Sequence, residues 1–322
     1  MNKNTSRLDN VILHDASSGA TAEIMVGMGC NCHRLQLMCA GQPVEVLWSV
    51  PDFATQGGHP CSSGIPLLFP FPGRIRGGVT HWKHRQYKLP AGDAEGNAIH
   101  GFVMDRPWRV VQTSSDRLVA EFHLARDTPQ LLSCWPTDFR IQAEYTLSAS
   151  ALRMAFHVFN PSSEPLPCGL GLHPYFRVPL GPGDSGEDCL IQLPVAKTWE
   201  LDQLIATGRK LELPDAAAYQ AGRPYRELKL DALFTDLQFE KDQCTAAILD
   251  LQNRRRMRLQ FQKPFQEIVV YTPENRQSIC IEPWSCATDP LRMNEVGIDA
   301  GLSLIDPQNT LAYRAEISLQ LL

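Results

Sequence analysis

Phe139-Arg-Ile-Gln-Ala-Glu-Tyr-Thr-Leu147 carries an apolar residue at every odd position and a polar one at every even position. A period of two sends successive side chains to opposite faces of a strand. The stretch therefore reads as a strand with one buried and one wet face. After Ser148-Ala149-Ser150 the period resumes with Leu152, Met154, Phe156 and Val158, which makes the two runs a hairpin. The C-terminus repeats it with Leu311, Tyr313, Ala315, Ile317, Leu319 and Leu321. So do Met257, Leu259 and Phe261, and Leu118, Ala120, Phe122 and Leu124. Further strands are expected near 22–27, 33–39, 44–49, 107–113, 244–251, 266–271 and 278–283. Helical stripes are scarce, and two short helices are expected around 203–206 and 215–221. Many antiparallel strands joined by turns predict an all-β chain, a large antiparallel β-sandwich with a few short helices. Folds of this kind exceed the usual domain length as one unit. No composition shift divides the sequence, so residues 1–322 are read as a single domain.

The formal net charge is −5, with no basic stripe, which argues against nucleic acid as a partner. The one dense cationic run, Arg254-Arg255-Arg256, follows Asn253 between two strand-like segments and reads as a solvated hairpin turn. Met1 to Ala20 is polar and lacks the apolar core of a signal peptide. No run approaches the ~18 apolar residues of a membrane helix, so no membrane partner is expected. Ten cysteines include no C-x-x-C pair, and Cys30 and Cys32 lack a second pair to complete a zinc site. Reduced, buried thiols in a cytoplasmic protein are the expectation.

Against this strand background, Cys168-Gly-Leu-Gly-Leu-His173-Pro-Tyr-Phe-Arg-Val178 stands out. Gly169 and Gly171 permit close approach of another chain segment or a ligand. Pro174 has no backbone donor, so a central strand is not expected to run straight past His173. An imidazole held at a strand end suits a proton donor near neutral pH, and equally a hydrogen-bonded structural histidine. Four further segments carry chemistry-bearing residues. Gly64-Ile-Pro-Leu-Leu-Phe-Pro-Phe-Pro-Gly-Arg74-Ile-Arg76-Gly-Gly78 is a stiff, shaped loop. Asn97-Ala-Ile-His100-Gly sets a histidine beside a glycine. Leu230-Asp231-Ala-Leu-Phe-Thr-Asp236 is acidic and apolar. Ile279-Cys-Ile-Glu282-Pro-Trp284 buries a glutamate in an apolar run. A carboxylate so placed needs a partner or a role, and an ion pair with an arginine such as Arg74 is the purely structural alternative.

The order of these motifs (Gly-Arg-Ile, Asn-x-x-His-Gly, His-x-Tyr-Phe, Asp-x-x-Phe and a late Glu-Pro) resembles the aldose 1-epimerases, the galactose mutarotases. Trp82 to Leu89, Pro107-Trp108 and the ending Gly301 to Pro307 fit the same pattern, from about residue 8 to the end. The resemblance implies the galactose mutarotase-like supersandwich. It also implies that His173 is the general acid, Glu282 the general base and His100 a hydrogen-bonding group near the ring oxygen. Arg74 and Asp231 would hold sugar hydroxyls, with Phe71, Tyr175, Phe176 and Trp284 offering ring faces. Gly73 and Ala232 depart from the asparagine and histidine that many members carry there, which bears on sugar preference.

Mutarotation opens a cyclic hemiacetal and closes it on the other face. The anomeric hydroxyl loses a proton while the ring oxygen gains one, so an acid and a base are required together; they are expected on opposite sides of a small monosaccharide. No metal or cofactor is required, and none is expected. The nearest rival is a hexose-6-phosphate epimerase of the same fold, for which Arg76, Lys83 or Arg177 would serve the phosphate. A non-catalytic sugar-binding module is the alternative from another class.

Overall fold

In the computed structural model, which describes residues 9–56, 58–183 and 185–322, the alternating stretches form the middle of a nine-stranded antiparallel sheet. Its order is Arg109–Thr113, Arg117–His123, Arg140–Ser148, Ala151–Phe159, Thr310–Leu321, Arg255–Gln262, Gln243–Asp250, Leu190–Gln192 and Arg223–Pro224. The predicted hairpin has its expected register: Ile141 faces Val158, Ala143 faces Phe156 and Tyr145 faces Met154, all buried. The C-terminal strand lies against it, with Phe156 opposite Tyr313 and Leu152 opposite Ile317. One side-chain period therefore builds one continuous apolar face from distant parts of the chain.

A second sheet of eight strands runs Ile205–Glu212, Lys197–Asp202, Asp231–Thr235, Glu267–Tyr271, Ser278–Trp284, Gly171–Leu172 and Leu67–Leu68, with Tyr175–Arg177 also paired to Ser278–Trp284. Alternate residues of this sheet divide between two environments. Ile268, Val270, Ile279 and Ile281 join the main core, whereas Leu233, Val269 and Trp284 form a smaller cluster on the other face. That second face carries the site. A four-stranded sheet, Asn10–His14 to Gln42–Glu45, completes the main core from the N-terminal side.

The helix expected at 215–221 forms as Ala216–Ala221. The one expected at 203–206 does not: Gln203 and Leu204 take left-handed turn conformations that feed the strand Ile205–Glu212. The segment instead forms the turn of a hairpin, with Leu201 paired to Ala206 and Asp202 to Ile205. Three further short helices, Phe53–Gln56, Leu124–Asp127 and Pro290–Glu295, carry no sequence stripe long enough to read. The triple-arginine run sits at the expected hairpin, with Arg254 in its turn and Arg255 and Arg256 opening the returning strand. All ten cysteines are free thiols. Among the described residues no helix is long and apolar enough to cross a membrane.

Candidate active site

The strand Ser278–Trp284 is buried along its whole length. On one flank it pairs continuously with Glu267–Tyr271; on the other it meets two short pieces, Gly171–Leu172 and Tyr175–Arg177. The gap between those pieces holds His173 and Pro174, as the missing donor at Pro174 predicts, and Pro283 lacks a donor on the facing strand at the same level. Gly171 is required where it is: a Cβ there would stand 2.8 Å from both Pro72 Cβ and Trp284 Cδ1. The gap turns His173 toward Glu282. Its Nε2 lies 3.3 Å from Glu282 Oε1, with the side chains 10% and 1% exposed.

Arg74 and His100 arrive together. Arg74–Ile75 pairs with Ala98–Ile99, which sets Arg74 opposite Ile99. The His100 amide donates to Gly73 O (2.9 Å), and the Gly73 amide donates to His100 Nδ1 (3.2 Å). An Nδ1 that accepts leaves the ring proton on Nε2, so His100 is a donor. His100 itself has φ +60°, and the next residue must be glycine because a Cβ at Gly101 would stand 2.0 Å from Phe69 O.

These residues line one cavity of about 350 Å³. Its walls include His100, His173, Glu282, Arg74, Asp231, Tyr175 and Trp284, so all seven residues predicted for the site meet there. The acid–base pair differs from expectation in one respect: the two groups stand side by side on one wall, not on opposite sides of the space. Their positions follow from facing strands of one sheet. Arg74 does not pair with Glu282 either; its Nε donates to Asp93 Oδ2 at 3.0 Å, and Asp93 is held in turn by the Asn97 amide and side chain. Asp231 opens the strand Asp231–Thr235 at the exposed rim.

Tyr175 and Trp284 have duties beyond a ring face. Tyr175 stacks on His173 with centroids 5.0 Å apart, and its hydroxyl donates to Cys61 O. Trp284 Nε1 donates to Glu282 Oε2 at 3.1 Å. Phe71 and Phe176 are core residues instead. Phe71 stacks on Trp135, and Phe176, adjacent to Tyr175 in a strand, necessarily faces the opposite side. His59, Cys61 and Asp93 escaped the sequence reading. Asp93 had one local signal, the loop Gly92-Asp-Ala-Glu-Gly-Asn97 that its carboxylate closes.

Burial sets the electrostatics. It pushes the His173 pKa down to about 4. It also raises the Glu282 carboxyl well above the usual carboxylate range, with the nearby Asp231 charge adding and the Trp284 hydrogen bond opposing. His100 is held well below the usual imidazole value by burial, then by His173 and Arg74. Glu282 Oε1 has no hydrogen-bond partner, nor has His173 Nδ1. The wall therefore sets a buried imidazole beside a buried carboxyl, one oxygen of which has no hydrogen-bond partner.

An aldose 1-epimerase family profile matches residues 11–301. The LacX plasmid protein of Lactococcus lactis subsp. lactis is 23% identical over 249 residues, covering 75% of this chain and 78% of that protein. Among solved structures, a galactose mutarotase-like protein from Clostridium acetobutylicum superposes with a TM-score of 0.80 at 23% identity, covering 95% of this chain and 94% of the other. An aldose epimerase homologue from C. elegans superposes at 0.79 with 14% identity, covering 98% and 100%. At these identities the structural likenesses speak for the fold.

Proposed function

The chain belongs to the aldose 1-epimerase family, and from that premise we propose that it interconverts the α and β anomers of a neutral aldohexose at the His173–Glu282 pair. The observation that carries this reading is the 3.3 Å approach of His173 Nε2 to a buried Glu282 oxygen without other hydrogen-bond partners, on the wall of a sugar-sized cavity. Neighbouring groups suit the chemistry, because the anomeric and ring oxygens are bonded to the same carbon. One member of the pair gives a proton to the ring oxygen while the other takes one from the anomeric hydroxyl. The C1–O5 bond breaks, the free aldehyde turns about C1–C2, and the roles reverse on closure. In this reading His173 donates in opening and Glu282 accepts.

His100 would donate from Nε2 to the ring oxygen, a role that its Gly73-fixed tautomer supports. Arg74, oriented by Asp93, has its remaining guanidinium donors for sugar hydroxyls, and Asp231 accepts from others at the rim. The Tyr175 and Trp284 faces supply apolar contact for sugar C–H bonds.

A neutral substrate is favoured by where the cations lie. Arg74 is the only arginine or lysine among the lining residues. Arg76 pairs with Asp202 at 3.0 Å, Lys83 with Glu164 at 2.6 Å, and Arg177 donates to Leu47 O. A phosphate dianion entering a chain of net charge −5 would find, among the described residues, no unpaired cation in the cavity. Polarimetry on fresh α-glucose, α-galactose and α-glucose 6-phosphate tests this. A higher kcat/KM for a neutral sugar is expected. Preference for the phosphate, lost in Arg76→Ala, would establish the phosphate epimerase instead.

A further inference from the structure

We infer that the wall holding His173 and Glu282 also traps a zinc-class divalent cation, with Cys280 as third ligand, and that the bound ion shuts the sugar site. Cys280 Sγ, a ring nitrogen of His173 and a Glu282 carboxylate oxygen all lie within 4.8 Å of one another. The three residues are 0%, 8% and 1% exposed. Strand geometry produces the juxtaposition. Cys280 and Glu282 are two apart on one strand and share a face, and His173 comes from the facing chain across the gap.

The donor atoms are available. Glu282 Oε1 has no hydrogen-bond partner, and Cys280 is in no disulfide; its thiol has a hydrogen bond to Tyr175 that a bound ion would replace. The other Glu282 oxygen accepts from Trp284 Nε1, the kind of outer hydrogen bond that orients a ligating carboxylate. Sulfur, imidazole nitrogen and carboxylate oxygen supply three donors of a tetrahedral zinc set; His173 and Glu282 also line the sugar cavity, while Cys280 is fully buried. A thiolate ligand selects against magnesium and calcium, which take oxygen. Ligand bonds of roughly 2.0–2.3 Å require the donors to draw together around the ion. On binding, the Cys280 S–H bond breaks, its proton leaves to solvent, and no electron is transferred.

A second triad, Cys61, His100 and His173, meets the same distance limit. It is the poorer site. His100 Nδ1 already accepts from the Gly73 amide, which leaves the proton on its other nitrogen, and neither lone pair is free without breaking that contact. Cys280, not Cys61, is therefore assigned as the thiolate ligand. The ion is an inhibitor here, not a cofactor, because it occupies the atoms that move protons.

The full-length enzyme, treated with EDTA and then freed of it, is titrated with Co²⁺ and followed by absorption. One equivalent should give a near-ultraviolet thiolate-to-cobalt charge-transfer band with tetrahedral visible bands, displaced by Zn²⁺. The band should vanish in Cys280→Ala and in the better-shaped Cys280→Ser, and persist in Cys61→Ala. Retained turnover of the metal-free Cys280 variants reports that they are folded. Zn²⁺, but not Mg²⁺, should abolish turnover competitively with sugar, and EDTA should restore it. Absence of a thiolate band, or its loss in Cys61→Ala alone, would overturn the site. Loss of turnover rests on the mutarotase reading and the cobalt spectrum does not, so the two can fail separately.

Discussion

His173 and Glu282 face each other in register across a break in a β-ladder. Gly171 pairs with Trp284 and Tyr175 with Cys280, and the residues midway between those partners are His173 and Glu282. Where an unbroken ladder would join them, the two prolines 174 and 283 remove donors, and the side chains approach to 3.3 Å. The proposed acid and base thus form a cross-strand pair whose spacing the sheet determines.

Trp284 is expected to tune the carboxyl rather than only pack. Trp284→Phe keeps an aromatic face but removes the donor to Glu282 Oε2. A hydrogen bond to a charged group contributes about 1.5–3 kcal/mol, so kcat/KM should fall about 10- to 100-fold in a folded protein. Unchanged kinetics would show that the bond is idle in catalysis.

The pH profile should reflect burial. Burial lowers the His173 ionisation from the ordinary 6.5 to about 4. As the proposed proton donor His173 acts while protonated, so the limb of kcat/KM that it controls in the free enzyme, falling as pH rises, is expected well below pH 6.5. A limb centred at 6.5 would mean that the histidine is wetter than its surroundings here allow.

Much of this was legible in the sequence. Strands such as Phe139–Leu147 announce themselves because one wet face imposes a period of two over many residues. Leu67–Leu68, Arg74–Ile75 and Gly171–Leu172 do not, since two residues define no period. The seven candidate residues that line the cavity could be named from their motifs, but the adjacency of His173 and Glu282 could not. It depends on the register of segments more than a hundred positions apart. The misplacement of Phe176 was avoidable: strand neighbours point to opposite faces, so Tyr175 and Phe176 cannot both line the cavity. The Arg74–Asp93 pair joins a two-residue strand to a loop, where no periodicity leads from one residue to the other.

Glu267 should give the fold a measurable pH dependence of its own. It is 3% exposed, accepts from Trp199 Nε1 at 3.0 Å, and burial raises its carboxyl from 4.5 to about 8. The folded state holds this proton more tightly than the unfolded state. Its contribution is therefore fully present below pH 4.5 and is lost as pH rises toward 8, at up to about 1.4 kcal/mol per pH unit. Glu267→Gln retains an acceptor for Trp199 and has nothing to titrate. Urea midpoints across this window should shift in the variant's favour, relative to wild type, as pH rises. A constant difference would show that Glu267 is ionised in the fold.

The most direct measurement is polarimetry of a freshly dissolved α-aldohexose with the wild-type protein, His173→Asn and Glu282→Gln, each checked for an unchanged melting transition. Rapid wild-type mutarotation and a loss of about 10²–10⁴-fold in kcat for each variant are expected. A folded variant that turns over near the wild-type rate would contradict the assignment of this pair.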